Sequence, residues 1–200
     1  MQQGYQLRCQ QTSDINEHLP VLYEYGQKCS TIVECGVRSI VSSYAFGLAL
    51  KNTPGNMFTM VDPGVSPLMP NFLNLCMVEG VNAQFFPQSD LDCPLIPTEL
   101  LFIDTWHVYG QLKRELDRWN SYVSKYIIMH DTTVDEWYGE TIRERLDAAK
   151  QSKESGIPIE EINKGLWPAI AEFLAAHPEW KIEKRLTNNN GLTILSRVTE

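Results

Sequence analysis

Two apolar runs in this chain end abruptly in acid and imidazole. The first reads Phe102-Ile103-Asp104-Thr105-Trp106-His107-Val108-Tyr109, the second Ile127-Ile128-Met129-His130-Asp131-Thr132. Carboxylates and imidazoles brought to one place can hold a divalent cation, or they can act as an acid/base pair. The sequence has no CxxC and no HExxH, so a zinc site built on several His or Cys ligands is disfavoured. A mixed carboxylate and imidazole set suits Mg²⁺, Mn²⁺ or Fe²⁺ instead.

These groups meet only if the elements carrying them run side by side. Between the two runs lies a segment in which Leu112, Leu116 and Trp119 recur at helical spacing among charges. A buried strand, a helix and a second buried strand make one βαβ unit, and in a parallel sheet both strand C-termini open on the same edge. Ligands bind at that edge in open α/β sheets. Asp104, His107, His130 and Asp131 are therefore expected to converge.

The rest of the chain repeats the alternation. Apolar runs predict strands over 31–34, 57–61, 82–86, 99–103 and 126–129, and alternating residues predict strands over 181–187 and 192–198. Asn188-Asn189-Asn190-Gly191 supplies the turn of that final hairpin. Helices are predicted over 39–50, 71–80 and 166–176, with Pro168 in the first turn of the last. Another is expected after Ser13 or Asp14, with Glu17 as a capping-box partner. Residues 1–12 are polar and read as a loose arm, and residues 133–160 as a charged, partly helical excursion over the sheet edge. The expectation is a single α/β domain over 1–200: a mostly parallel sheet with an antiparallel final strand and helices on both faces.

The other predicted strand ends are polar as well. Glu34 and Gly36 follow the first strand, Asp62 the second, and Ser89-Asp90 the third. A glycine permits close backbone approach, an acid closing the second strand can bind ribose hydroxyls, and Asp90 stands where an adenine would be reached. One glycine is too few for a pyrophosphate loop, so the series suits an adenosine better than a dinucleotide. The net charge of −8, from 17 Lys+Arg against 25 Asp+Glu, disfavours a nucleic-acid partner. Five irregularly spaced cysteines suggest a reduced, cytoplasmic protein, and no apolar run approaches the roughly 18 residues of a membrane span.

The ordered set Glu34-x-Gly36, Asp62, Ser89-Asp90, Ile103-Asp104-x-x-His107-x-Tyr109 and His130-Asp131-Thr132 resembles the class I S-adenosylmethionine-dependent methyltransferases. It is most similar to the branch that groups cephalosporin-hydroxylase-like proteins with macrocin-type sugar O-methyltransferases. The likeness covers residues 31–197. It implies a seven-stranded Rossmann-like sheet and S-adenosylmethionine held by Glu34, Gly36, Asp62, Ser89, Asp90 and Asp104. It also implies a divalent ion, Mg²⁺ or Mn²⁺, on Asp104, His130 and Asp131, with His130 where some relatives carry a carboxylate. The implied activity is methylation of a hydroxyl on a small metabolite or sugar. Asp104, His107 and His130 are the catalytic candidates: His107 as general base, His130 as its alternative. Trp106, Tyr109 and Trp137 could wall the acceptor pocket, whereas Trp119 and Trp167 read as core. Two other readings stay open: a non-catalytic cofactor-binding protein of the same fold, and a nicotinamide-dependent oxidoreductase. An N-terminal arm could also pack on a second copy.

Overall fold

The computed structural model describes residues 1–198. The strands are β1 (Thr31–Cys35), β2 (Met57–Val61), β3 (Ala83–Phe86), β4 (Thr98–Ile103), β5 (Val123–His130), β6 (Trp180–Leu186) and β7 (Leu192–Arg197). They form one sheet in the order β3-β2-β1-β4-β5-β7-β6. The pairs from β3 to β5 are parallel, and β7 runs antiparallel to both β5 and β6. The expected architecture is present, each strand within a few residues of its predicted span.

The helices are α1 (Gln2–Gln10), α2 (Leu19–Gly26), α3 (Ser43–Leu50), α4 (Met69–Val78), α5 (Tyr109–Trp119), α6 (Glu140–Arg143), α7 (Ala148–Ser155), α8 (Ile159–Asn163) and α9 (Leu166–Ala176). Successive strand residues point to opposite faces, so one apolar run feeds two cores. Leu100 and Phe102 pack with Leu22, Phe46 and Phe72 on the α2–α4 face. Leu101 and Ile103 pack with Leu112, Leu116, Trp119 and Phe173 on the α5–α9 face. Pro168 sits in the first turn of α9, where its missing N–H costs nothing.

Two expectations are corrected at the N-terminus. Residues 2–10, read as a loose arm, form α1. The Arg8 guanidinium lies 3.6 Å from the centroid of the Tyr44 ring, and its Nε donates to the Ile40 carbonyl at 2.8 Å. Its apolar stripe is narrow, Tyr5 and Cys9 with Met1 one turn before, and these pack on the α2–α4 core beside the Arg8 contacts. The capping box does not form either. Asp14 pairs with Arg38, and helix α2 begins only at Leu19, after a 3₁₀ turn over Asn16–His18.

Strand order reverses at β1: β2 and β3 lie on one side, β4 and β5 on the other. Such a switch point opens a crevice at the strand C-termini. Here the two loops meet at very close range. Gly36 has φ 86°, and a Cβ on it would lie 1.9 Å from the Asp104 carbonyl oxygen. Glycine is required at this position by the neighbouring backbone itself.

Candidate active site

A cavity of about 470 Å³ fills the crevice, within the range of small-ligand sites. Gly36, Val37 and Arg38 line it from β1, Asp62 from β2, Ser89 and Asp90 from β3, and Asp104 with Trp106 and His107 from β4. Its walls carry four carboxylates, those of Asp62, Asp90, Asp104 and Glu140. The potential inside favours a cationic ligand.

The β1–α3 loop keeps a left-handed backbone at alternate residues: φ is 86° at Gly36, 41° at Arg38 and 60° at Ile40. For the two non-glycines this conformation costs about 1–2 kcal/mol each. Neighbours hold it in place. Asp62 Oδ2 accepts the backbone N–H of Val37 at 2.7 Å and of Arg38 at 2.8 Å, and Oδ1 accepts that of Gly64 at 2.7 Å. Arg8 grips the Ile40 carbonyl from α1.

At the β4–β5 end the predicted residues converge. His107 Nε2 lies 3.2 Å from Asp104 Oδ1 and 3.0 Å from Asp131 Oδ2. Its Nδ1 lies 3.4 Å from both Asp135 Oδ2 and Glu140 Oε2. Asp131 has φ 57°, a left-handed conformation that Asp tolerates, and this turn brings its carboxylate back to both imidazoles. His130 Nδ1 is 3.0 Å from Asp131 Oδ2, and its Nε2 is 3.2 Å from the Asn189 carbonyl, which requires Nε2 to be the donor.

Burial disfavours charge on all these groups, yet their mutual contacts outweigh it. Burial lowers the His130 pKa, but hydrogen bonds to Asp104 and Asp131 raise it to about 10. His107 moves well above its usual value through Asp104, Asp131 and Asp135, against the same burial. Burial raises Asp104, and the two imidazoles more than reverse this, to about 2; Asp131 is lowered in the same way. The carboxylates thus favour charge on both imidazoles, and the imidazoles favour charge on the carboxylates.

The set fits a divalent cation. Asp104, His107 and Asp131 each offer a donor atom, all within 4.8 Å of one another. Asp131 Oδ1 is buried without a partner. Asp135 and Glu140 stand 3.4 Å from the far nitrogen of His107, which is buried without a hydrogen-bond partner, on the side from which a carboxylate orients a metal-bound imidazole. The trio contains His107; of the expected His130, Nε2 is turned to the Asn189 carbonyl while Nδ1 faces Asp131 Oδ2 at 3.0 Å and Asp104 Oδ1 at 3.5 Å.

Comparison with known proteins bears on the fold alone. No protein-family model and no curated protein matches the chain. Solved structures do. The O-methyltransferase TomG of Streptomyces achromogenes, involved in tomaymycin synthesis and solved with SAM, aligns at TM-score 0.63 and 12% identity, over 94% of this chain and 82% of that one. The SAH-bound methyltransferase PaMTH1 of Podospora anserina aligns at TM-score 0.57 and 14% identity, over 98% and 87%. A Geobacter sulfurreducens methyltransferase gives 0.56 and 13%, over 90% and 78%. The chain has the fold of the S-adenosylmethionine-dependent O-methyltransferases. Among the described residues no helix is long and apolar enough to cross a membrane.

On this methyltransferase fold the sequence-named residues are not equivalent. Gly36, Asp62, Ser89, Asp90, Asp104 and His107 line the cavity, whereas Glu34 stands fully buried behind it. Glu34 Oε1 accepts the Ser42 hydroxyl at 2.5 Å, and Ser42 lines the cavity. Of the three aromatic residues expected around an acceptor, only Trp106 lines the cavity. Tyr109 is buried, with its hydroxyl donating to Glu172 at 2.6 Å, and Trp137 is 58% exposed.

Three acids were missed. Asp135 and Glu140 come from the excursion, which is anchored where Glu140 N–H donates to the His107 carbonyl at 2.9 Å. Asp135 is in turn gripped by Arg143 at 2.7 and 3.0 Å. Glu115 lies fully buried on α5. It accepts the Thr105 hydroxyl at 2.5 Å and a Gln111 N–H at 2.8 Å, and shares a hydrogen bond with Asp90. Burial, then the neighbouring Asp90, pushes the Glu115 carboxyl far up. The only sequence signal for Glu115 was an acid on the apolar side of an amphipathic helix.

Burial likewise raises Glu34 to about 8, with Ser42 and Ser43 pulling partly the other way. A carboxyl raised on folding contributes stability that is whole below its unfolded pKa of 4.5 and is lost as pH rises through about 8. Stability should therefore fall across that window by up to about 1.4 kcal/mol per pH unit from this group. Glu34→Gln should flatten the slope. Denaturant midpoints at pH 5 and pH 8.5 measure it, and parallel declines in both proteins would rule Glu34 out.

Proposed function

We propose that this protein is an S-adenosylmethionine-dependent O-methyltransferase acting on a hydroxyl of a small molecule, with a divalent cation assisting. One observation carries the reading. Asp104 and His107 belong both to the acid-walled cavity and to the donor cluster, so a ligand in the cavity lies directly against the cluster.

Gly36, Asp62, Ser89 and Asp90 would hold the adenosine, and Asp104 would face the methionyl end. The cofactor supplies an electrophilic methyl on a positively charged sulfur. Asp104, His107 and Asp131 would hold Mg²⁺ or Mn²⁺, hard ions suited to carboxylate oxygen with one imidazole, which would lower the pKa of an acceptor hydroxyl. The chain's own part is alignment. Asp135 and Glu140 brace His107, Trp106 closes the cavity beside it, and Asp62 holds the β1 loop in its strained form. Ordering two reactants in line supplies much of the acceleration in a displacement.

The acid walls favour a sulfonium and oppose a pyrophosphate, which argues against the nicotinamide reading. Thermal shifts with S-adenosylmethionine, S-adenosylhomocysteine, NAD and NADP test this, because a ligand that binds the folded state raises its melting point. Stabilisation by NAD or NADP alone would reverse the assignment. Adenosyl binding without methyl transfer to any hydroxylated acceptor would favour a non-catalytic binding protein. Asp62→Ala should weaken S-adenosylhomocysteine by roughly 1.5–3 kcal/mol, since it removes a charged acceptor from the ribose site and from two loop amides. Unchanged calorimetric affinity would exclude Asp62 from the cofactor site.

A further inference from the structure

Arg38 takes a backbone conformation that suits glycine, and the chain places a long cationic side chain there. Arg38 lines the cavity, and its guanidinium pairs with Asp14 at 2.5 Å. Among the described residues lining the cavity it is the only Lys or Arg, set against four carboxylates. The Arg38 side chain is 74% exposed, and an ion pair that open to water is weak.

On the methyl-donor reading, from which this inference starts, the ligand carries three charges. Its sulfonium and its ammonium suit the acid walls. Its α-carboxylate does not, and would be repelled wherever it lay against them. A guanidinium is well suited to meet it, because its planar fork binds a carboxylate through two parallel N–H groups. We propose that Arg38 binds the α-carboxylate of the methyl donor, exchanging Asp14 for it when the donor enters. The strained φ at residue 38 is then the conformational cost of setting a cation within range of Asp104, whose charge acts on it.

The test is calorimetric titration of the whole chain with S-adenosylhomocysteine and with its decarboxylated analogue. The unaltered protein should bind S-adenosylhomocysteine at least tenfold more tightly than the analogue. Arg38→Gly suits the left-handed backbone, so the fold should survive; its melting curve checks this. That variant should bind S-adenosylhomocysteine at least tenfold more weakly and no longer distinguish the two ligands. Arg38→Lys, which retains charge without the fork, should recover part of the discrimination. Asp14→Asn removes the competing carboxylate and should bind S-adenosylhomocysteine at least as tightly as the unaltered chain.

Wild-type affinity in Arg38→Gly would overturn the proposal and leave the methyl-donor reading standing. An equal loss in Asp14→Asn and Arg38→Gly would also overturn it, since Arg38 would then act only by pinning the Asp14 segment. Failure of the unaltered chain to bind either ligand would remove the methyl-donor reading, and this proposal with it.

Discussion

Replacement of His107 by Gln should lower kcat by about 10²–10⁴-fold while changing S-adenosylhomocysteine affinity only a few-fold. His107 is the one side chain in contact with every acid of the cluster: Asp104 and Asp131 at Nε2, Asp135 and Glu140 at Nδ1. Gln cannot reproduce two ring nitrogens facing opposite ways, so the acids lose their common partner. The loss should fall on kcat because the residues proposed to hold the adenosine, Gly36, Asp62, Ser89 and Asp90, are untouched. Chelation by EDTA should cause a comparable loss, restored by Mg²⁺ or Mn²⁺ in the unaltered protein and poorly in the variant. A kcat within tenfold of the unaltered value would exclude His107 from the reaction. Activity indifferent to EDTA would remove the metal and leave the imidazole acting alone.

Gly36→Ala should be the most damaging single methyl in the chain. The added carbon meets the Asp104 carbonyl at 1.9 Å, and φ 86° is itself unfavourable for alanine. Left-handed backbone costs about 1–2 kcal/mol and overpacking typically about 1–3 kcal/mol, giving roughly 2–5 kcal/mol in all. The β1 and β4 loops must separate, and the Asp104 N–H to Cys35 carbonyl bond of 2.9 Å lies at that junction. Stability and cofactor affinity should therefore fall together. Chemical denaturation with parallel titration of S-adenosylhomocysteine measures both. A variant as stable as the original, with intact binding, would show that the two loops are free to move apart.

Much of this architecture could be read directly from residue order. Buried parallel strands must be short apolar runs, and β1, β2, β4 and β5 are such runs. The hairpin was legible because Asn189, Asn190 and Gly191 tolerate the positive φ that its turn adopts. Strand ends in a parallel sheet share one edge whatever their separation along the chain. That is why Asp62, Asp90, Asp104, His107, His130 and Asp131 could be named as neighbours in advance.

Which atoms face each other had no counterpart in residue order. His130 and His107 look alike as imidazoles after strands, but the Asn189 carbonyl claims one nitrogen of His130 while four carboxylates surround His107. Asp135 and Glu140 enter because the excursion folds back onto the His107 backbone. Glu34 has the right type and spacing for a ligand contact, yet burial and the Ser42 hydroxyl place it behind the wall. Helix α1 has only a narrow apolar stripe to announce it, Tyr5 and Cys9, and is held by that packing together with the contacts that Arg8 makes with Tyr44 and Ile40. Local sequence therefore determined the elements and the edge at which their ends meet, because periodicity and turn chemistry act over a few residues. Tertiary structure alone decided which groups face one another, because that depends on directions and distances of about 3 Å between groups far apart in the chain.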